Sequence, residues 1–395
     1  MGFCNLPVGL GGAVILVTVP QLLAAQNVPE TSIAWITTLG LTGTFINFLL
    51  APVLDWRLTR RAYAVITALL TGVLSFAVLA WSGSLVALAA IVLVLGLVIN
   101  LNVAAVGGWL SQVVDADRQG VLSASLSIAN IVGFGVGAAV TILLVRFLPP
   151  IVGPAAVALL ELLPIPLCLA IPATPPDRKL AHESFAAFSR DVLTLLRQPT
   201  VRFLFFFLVM PAASFALSNT LTGLGKDFGA SEELVGAVSG IGVAIAGVVG
   251  CSVVPPLLRL MPPARLYLWL GAGGAVLTLV QLALPRTPLS LAFGIIEQNA
   301  IQATALTVIT ALVLRSNGGN NPLAATQYSL LFAATGLPLT YMQLIDGQAY
   351  GIGALAGSYL ADAFISLAAC AILAVLLRQR AGVFLPAGSY EAERA

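Results

Sequence analysis

The sequence predicts an all-α membrane protein with twelve spanning helices in two six-helix pseudo-repeats and both termini in the cytoplasm. Three observations predict it. The 395 residues are 59% hydrophobic and only 9% charged, with a mean hydropathy of +1.02, whereas soluble domains carry about 25% charged residues. The apolar segments are long enough to supply the ~20 residues that a helix needs to cross a bilayer. Fifteen of the eighteen Lys and Arg residues fall in alternate gaps between those segments, the distribution that marks cytoplasmic loops.

Apolar runs read against turn residues give spans at about 3–25, 32–54, 62–82, 84–112, 121–146, 154–172, 200–225, 233–257, 265–285, 288–314, 322–346 and 353–377. Leu148-Pro149-Pro150, Pro262-Pro263 and the run from Asn317 to Pro322 mark breaks, and Asn321 stands as a cap before Pro322 at a first helical position. The gaps after spans 2, 4, 6, 8 and 10, with the C-terminus, hold the fifteen basic residues; Arg146, Lys226 and Arg286 lie on the other side. An even number of crossings follows. The first span lacks a basic n-region and runs too long for a signal peptide, so it reads as a retained helix. Leu6 stands where a myristoylation signal needs Ser or Thr.

One connection is long. It divides the chain into a first bundle (1–172), a linker (173–199), a second bundle (200–380) and a cytoplasmic tail (381–395). Within the linker, Phe185, Phe188, Val192 and Leu195 recur at helical spacing with Arg190, Asp191, Thr194 and Arg197 between them. That pattern predicts an amphipathic helix lying at the inner membrane surface. His182, the only histidine, lies in the linker, badly placed for a proton relay. The two bundles echo one another: Pro52 and Pro256, Arg61 and Arg265, and Tyr63 and Tyr267 share an offset of 204 residues.

Several classes drop out. The net charge of +2 and the lack of a basic run interleaved with aromatics argue against nucleic acid. No HExxH, GxSxG, P-loop or Cys/His metal spacing is present, so no enzyme, metal centre or cofactor is expected. Cys4, Cys168, Cys251 and Cys370, far apart in sequence, read as small buried hydrophobes.

Two groups of residues point to chemistry. In Ala51-Pro52-Val53-Leu54-Asp55-Trp56-Arg57-Leu58-Thr59-Arg60-Arg61, positive-inside anchoring explains Arg57, Arg60 and Arg61 but not an Asp at the membrane edge. Asp55 therefore reads as part of a conformational switch, pairing with basic groups or a helix end in one state. The second group is ionisable residues inside spans, where a carboxylate costs at least ~2.5–3.5 kcal/mol and is functional by default. Glu297 lies about 14 Å along its helix from Pro288 at 1.5 Å per residue, with Gln298, Asn299 and Gln302 beside it. A substrate or proton role and an interhelical hydrogen bond are both open for it. Glu161 and Asp362, on spans 6 and 12, are proton-coupling candidates that packing explains equally well. Asp346 is expected at the outer end of span 11.

Asn47, Asn100, Asn102, Asn130 and Gln327 either line the same cavity as Gln298, Asn299 and Gln302 or form interhelical amide bonds. Gly133, Gly135 and Gly137, and Gly236, Gly240, Gly247 and Gly250, read as close helix packing. Pro211 and Pro338 are expected to kink spans 7 and 11.

At Ala325-Thr326-Gln327-Tyr328-Ser329-Leu330-Leu331, preceded by Ala303-Thr304-Ala305, the chain resembles the muropeptide permease (AmpG-like) and acetyl-CoA transporter branch of the major facilitator superfamily. The Asp55 loop, the opening Leu6-Pro7-Val8-Gly9-Leu10 and the two six-helix repeats agree with it. The resemblance implies a bacterial inner-membrane importer that uses the proton gradient, acts as a monomer and takes a polar or amphipathic molecule such as a cell-wall fragment or a siderophore. Muropeptide permeases carry acidic residues on helix 4 where this chain has Asn100 and Asn102, which moves proton coupling toward Glu297. The helix 5 glycines lack neighbouring arginines, which argues against a highly anionic substrate. The remaining alternative is a proton-driven exporter of amphipathic compounds with the same fold.

Overall fold

The structure, a computed structural model, describes residues 1–81, 83–173, 185–213, 216–217, 221, 224–318 and 321–379. Six helices run back and forth in the first half: α1 (Gly2–Ala25), α2 (Thr31–Asp55), α3 (Arg60–Leu79), α4 (Leu85–Val113), α5 (Ala116–Phe147) and α6 (Val152–Ala170). A linker helix (Phe185–Arg197) follows. Then come α7 (Pro199–Val209), α8 (Glu233–Leu260), α9 (Pro263–Ala283) and α10 (Pro288–Ser316). The last unit, Ala324–Gln379, loses helical backbone at Gly353 and Ala354 and so divides into α11 (324–352) and α12 (355–379). Among the described residues ten helices are long and apolar enough to cross a membrane, or eleven if the bent pair at Ser189–Arg197 and Pro199–Val209 is one span.

Local chemistry sets the helix ends. Thr59 and Ser84 accept the backbone N–H of Ala62 and Ala87 through their hydroxyls and so start α3 and α4. Thr287 and Ser290 form a reciprocal capping box ahead of α10, which also has Pro288 in its first turn. Asn321 Oδ1 accepts from Leu323 N at 2.9 Å, but the helix opens at Ala324, two residues past the proline expected to begin it.

Two elements differ from the sequence reading. Span 7 is interrupted ahead of Pro211 rather than bent within one continuous helix. Helix α7 stops at Val209, because Met210 takes the extended backbone (ψ 138°) that a following proline imposes. Spans 11 and 12 have no connecting loop; α11 stays helical through Gly347 and Gly351 up to the break at Gly353. Asp346 is consequently not at a helix end but fully buried.

The core is divided unevenly along the bundle. Toward the end that carries Asp55, one apolar cluster runs through both halves, joining Trp109 and Leu122 to Phe207, Tyr267, Leu312 and Leu331. Toward the opposite end it splits. Val14, Leu23, Ile36, Leu88 and Val157 form one cluster in the first half; Leu217, Phe228, Ile295 and Tyr359 form another in the second. A single apolar core thus runs through both halves at one end only.

Apolar residues of the linker helix, Val192 and Leu195, do not simply face a membrane surface. They pack with Phe48 and Trp56 of the first half and Leu323 and Leu330 of the second. Arg178, Lys179, His182, Arg380 and Arg394 lie outside the described residues, as does the predicted tail.

Candidate functional site

Asp55 closes α2 in a short 3-10 turn (Ala51–Asp55), and its carboxylate is wholly buried. Four donors converge on it. Arg60 Nε (2.7 Å) and Ala325 N (3.2 Å) reach Oδ1; Thr326 N (2.8 Å) and Thr326 Oγ1 (2.7 Å) reach Oδ2. Ala325 and Thr326 belong to the first turn of α11, whose free N–H groups and dipole favour a negative charge. Arg60 also donates to the carbonyl oxygens of Asn321 (3.1 Å) and Pro322 (2.6 Å). Hydrogen bonds to charged groups contribute about 1.5–3 kcal/mol each, and three of these four cross from one half to the other.

The arginines divide their roles. Arg61 donates to Leu169 O (3.2 Å) and Ile171 O (3.1 Å) at the end of α6, inside its own half. Arg57, at φ 63°, lays its guanidinium over the Trp56 ring, 4.6 Å from the centroid.

A seam of contacts continues the lock. Gln112 Nε2 donates to Gly318 O (2.6 Å), Asn317 Nδ2 to Ser111 Oγ (3.1 Å), and Asn47 Nδ2 to Ser329 Oγ (3.1 Å). Glycines permit the approach of α4 to α11. A Cβ on Gly108 would stand 2.6 Å from Ala325 Cα, and one on Gly107 would meet the Tyr328 ring at 2.5 Å.

Beside this seam a cavity of about 230 Å³ lies between the halves, with walls from α1, α2, α4, α5, α10 and α11. Asn5, Thr44, Asn100, Ser127, Asn130, Thr310 and Tyr328 supply its polar surface. Phe332 stacks on Tyr328 with ring centroids 5.7 Å apart. Asn5 and Asn100 donate their amide N–H to Leu126 O (3.1 Å) and Gly96 O (2.9 Å), which leaves amide oxygens for a ligand. Among the described residues no carboxylate, ammonium, guanidinium or imidazole lines the cavity.

The residues singled out from sequence separate into two sets. Asn100 and Asn130 lie on the cavity wall. Asn102 instead donates to Ala64 O and Thr67 Oγ1 on α3, Gln298 to Thr278 Oγ1 on α9, and Gln327 to Ser316 at the end of α10. These three amides hold helices together. Asn299 donates to Ile295 O of its own helix. Gln302 is half-buried and, like Asn299, is not part of the wall.

Glu297 also turns from the cavity. At about 100° per residue it lies roughly 140° around α10 from the wall residue Thr310, and it faces α9. There Gln281 Nε2 donates to Glu297 Oε2 at 2.5 Å, while Glu297 Oε1 and Gln281 Oε1 are both buried without a partner. Glu161 is completely buried between α3 and α6, where Ser75 Oγ donates to it at 2.9 Å. Asp362 on α12 and Asp346 of α11 are both buried. Ser358 Oγ donates to Asp346 O at 2.8 Å.

The sequence profile of the major facilitator superfamily matches residues 1–337. The chain belongs to the major facilitator superfamily. Solved structures agree on the fold. The human organic anion transporter MFSD10 is 17% identical, with 94% of this chain and 97% of that one covered at a TM-score of 0.71. The proton:xylose symporter XylE, bound to 6-bromo-6-deoxy-D-glucose, is 16% identical over 96% and 94% of the chains (TM-score 0.69). A bacterial homologue of the iron transporter ferroportin, in an outward-facing state, is 15% identical over 96% and 97% (TM-score 0.65). No curated protein matches the sequence.

Within this superfamily fold, several site residues escaped the sequence reading. Thr326, which caps the lock, and Tyr328, which borders both lock and cavity, belong to the Ala-Thr-Gln-Tyr run that was read only as a mark of relationship. Asn5, Ser127 and Thr310 carry no distinguishing signal. A single hydroxyl or amide in an apolar span is as often a packing contact as a wall residue.

Proposed function

We propose that this chain is a secondary transporter of the AmpG-like branch, crossing a bacterial inner membrane twelve times with both termini cytoplasmic. It imports a small polar or amphipathic molecule together with protons. The observation that carries this reading is the uneven joining of the halves. A buried carboxylate lock and a continuous core tie them at the Asp55 end, while separate cores and a cavity lie beyond it. Such an arrangement suits one state of alternating access, closed toward the cytoplasm, with Asp55, Arg57, Arg60 and Arg61 at the gate. Binding substrate and releasing the lock open that end as the other closes.

The wall favours an uncharged cargo. A charged substrate entering a cavity with no opposite charge loses hydration and gains no ion pair. Amide oxygens and a stacked aromatic pair suit a molecule with hydroxyl or N–H donors and an apolar face. Glu297 is the proton-coupling residue in this reading, acting at the α9–α10 contact rather than on the cargo. One proton on Oε1 would satisfy both orphaned oxygens, donating to Gln281 Oε1 while Gln281 Nε2 holds Oε2.

The test uses proteoliposomes and a ligand found by thermal shift among uncharged amphipathic compounds. Glu297→Gln should abolish accumulation driven by a proton gradient, at least tenfold, and leave counterflow intact. Unchanged accumulation removes the coupling role. The uncharged cavity also favours a second reading, an exporter of amphipathic compounds. Accumulation in energised everted vesicles, with none in right-side-out vesicles, would select it.

A further inference from the structure

A different site lies on the outer face of the second half, at the Asp55 end. There α12 stands between α7 and α9, and Cys370 Sγ lies within hydrogen-bond reach of Ala212 O (3.4 Å), three residues past the end of α7, and of Leu268 O on α9 (3.6 Å). Below that contact the three helices part and leave two grooves flanking α12. The larger, about 750 Å³, lies between α9 and α12. The smaller, about 530 Å³, lies between α7 and α12. Their walls are mostly apolar, with Trp269 in the larger groove 69% exposed and Phe206 in the smaller 45% exposed.

Charge is placed at one end of both. Arg265 in the first turn of α9 and Arg378 in the last turn of α12 line the larger groove; Arg202 in the first turn of α7 lines the smaller. All three are exposed, and among the described residues none is in a salt bridge with a carboxylate. Three guanidinium groups, each with five fixed donors, thus surround the foot of one helix at the level where an apolar groove ends.

We propose that the foot of α12 is a binding site for an anionic phospholipid with two phosphates and four acyl chains, of the cardiolipin type. One phosphate sits between Arg265 and Arg378 and the other at Arg202, with the chains entering the grooves on either side of α12 and Trp269 at headgroup level. Bidentate guanidinium–phosphate bonds give the site its charge selectivity, and the two grooves give it selectivity for a lipid with two chain pairs. General attraction of arginines to an anionic membrane surface predicts neither the pairing with grooves nor a preference among anionic lipids.

Native mass spectrometry of the full chain in detergent, supplemented with cardiolipin, phosphatidylglycerol at equal phosphate, or phosphatidylcholine, tests this. Cardiolipin should be retained at least tenfold over the other two. The triple variant Arg202→Gln, Arg265→Gln, Arg378→Gln should lose that preference, while Arg118→Gln, on the same membrane face but outside the grooves, should keep it. All four side chains are exposed, and an unchanged melting temperature without lipid confirms that the variants fold. Inorganic phosphate should raise the melting temperature of neither form, since it cannot occupy the grooves. Equal retention of the two anionic lipids, an unaltered preference in the triple variant, or an equal loss in Arg118→Gln overturns the proposal.

Discussion

Asp55 and Glu161 are both buried carboxylates, and what surrounds each separates their roles. Asp55 has four donors, three of them supplied by the opposite half, so those three hydrogen bonds exist only while the halves meet. Glu161 has one, from Ser75 in its own half. A carboxyl group so placed, held by one hydroxyl of its own half, fits a packing role. Glu161→Gln keeps an acceptor for Ser75 and should shift the melting temperature by no more than about 2 °C, with transport retained. Glu161→Ala leaves a void and an unpaired hydroxyl and should cost about 2–4 kcal/mol, seen as a clear drop in melting temperature. Loss of transport in a stable Glu161→Gln protein would instead place that carboxyl group in the transport cycle. At this scale the sequence was informative about which residues are exceptional and uninformative about where they point. The polar residues of α10 from Glu297 to Gln302 spread over more than half of its circumference at about 100° per residue, so no single polar stripe marks its inner face. Glu297 and Gln298 were therefore legible as polar but not as turned toward α9.

The elements show how glycine and proline act in this fold. Gly133 and Gly137 pack against α1 within the first half, while Gly135 between them meets Ala244 of α8 across the boundary. The expected close packing is there, on two faces of one helix. Of the α8 glycines, Gly247 and Gly250 pack, whereas a Cβ added at Gly236 or Gly240 would meet no other helix. Breaks were read less well. The gap between spans 322–346 and 353–377 implied a loop, yet α11 continues through most of it, since a helix satisfies its own backbone where a bilayer offers no alternative partner. The repeat is also less symmetric than its spacing implies. The α2–α3 turn docks on α11 through Asp55, but at the 204-residue offset stands Arg259, and the matching turn docks on α5 through Leu258 against Gly120. Charge locks one side of the boundary and apolar contact the other. The glycine contact of α4 with α11 is open to a direct test. Gly108→Ala sets a Cβ against Ala325 backbone that cannot yield, which should force the seam apart. Alkylation of a Ser329→Cys reporter, buried in the wild-type seam, should speed up by about tenfold, equivalent to ~1.4 kcal/mol. The four native cysteines are buried and give a low background. An unchanged rate would show that the seam does not limit access. Cys4 of α1 and Cys168 of α6, far apart in sequence, are both buried in the same apolar cluster. No spacing rule predicts that placement.

For the whole molecule, composition and basic-residue alternation carried the class, because a bilayer imposes both on any chain that crosses it repeatedly. They do not encode the conformational state. That depends on which of two competing sets of contacts between the halves is formed, and both sets are written in the same residues. In the proposed transport cycle the Asp55 lock is the device that selects between them. Its most direct test is hydrogen–deuterium exchange of the wild-type chain and of Asp55→Asn in lipid nanodiscs. Asn keeps the size of the side chain but removes the charge that Arg60 and the α11 terminus share. Rocking of the halves predicts reciprocal change: faster exchange in residues 104–113 and 324–331 at the lock, and slower exchange at the opposite ends of α1, α2 and α8. Faster exchange confined to the lock, or no change at either end, would contradict it and leave Asp55 as a local helix cap.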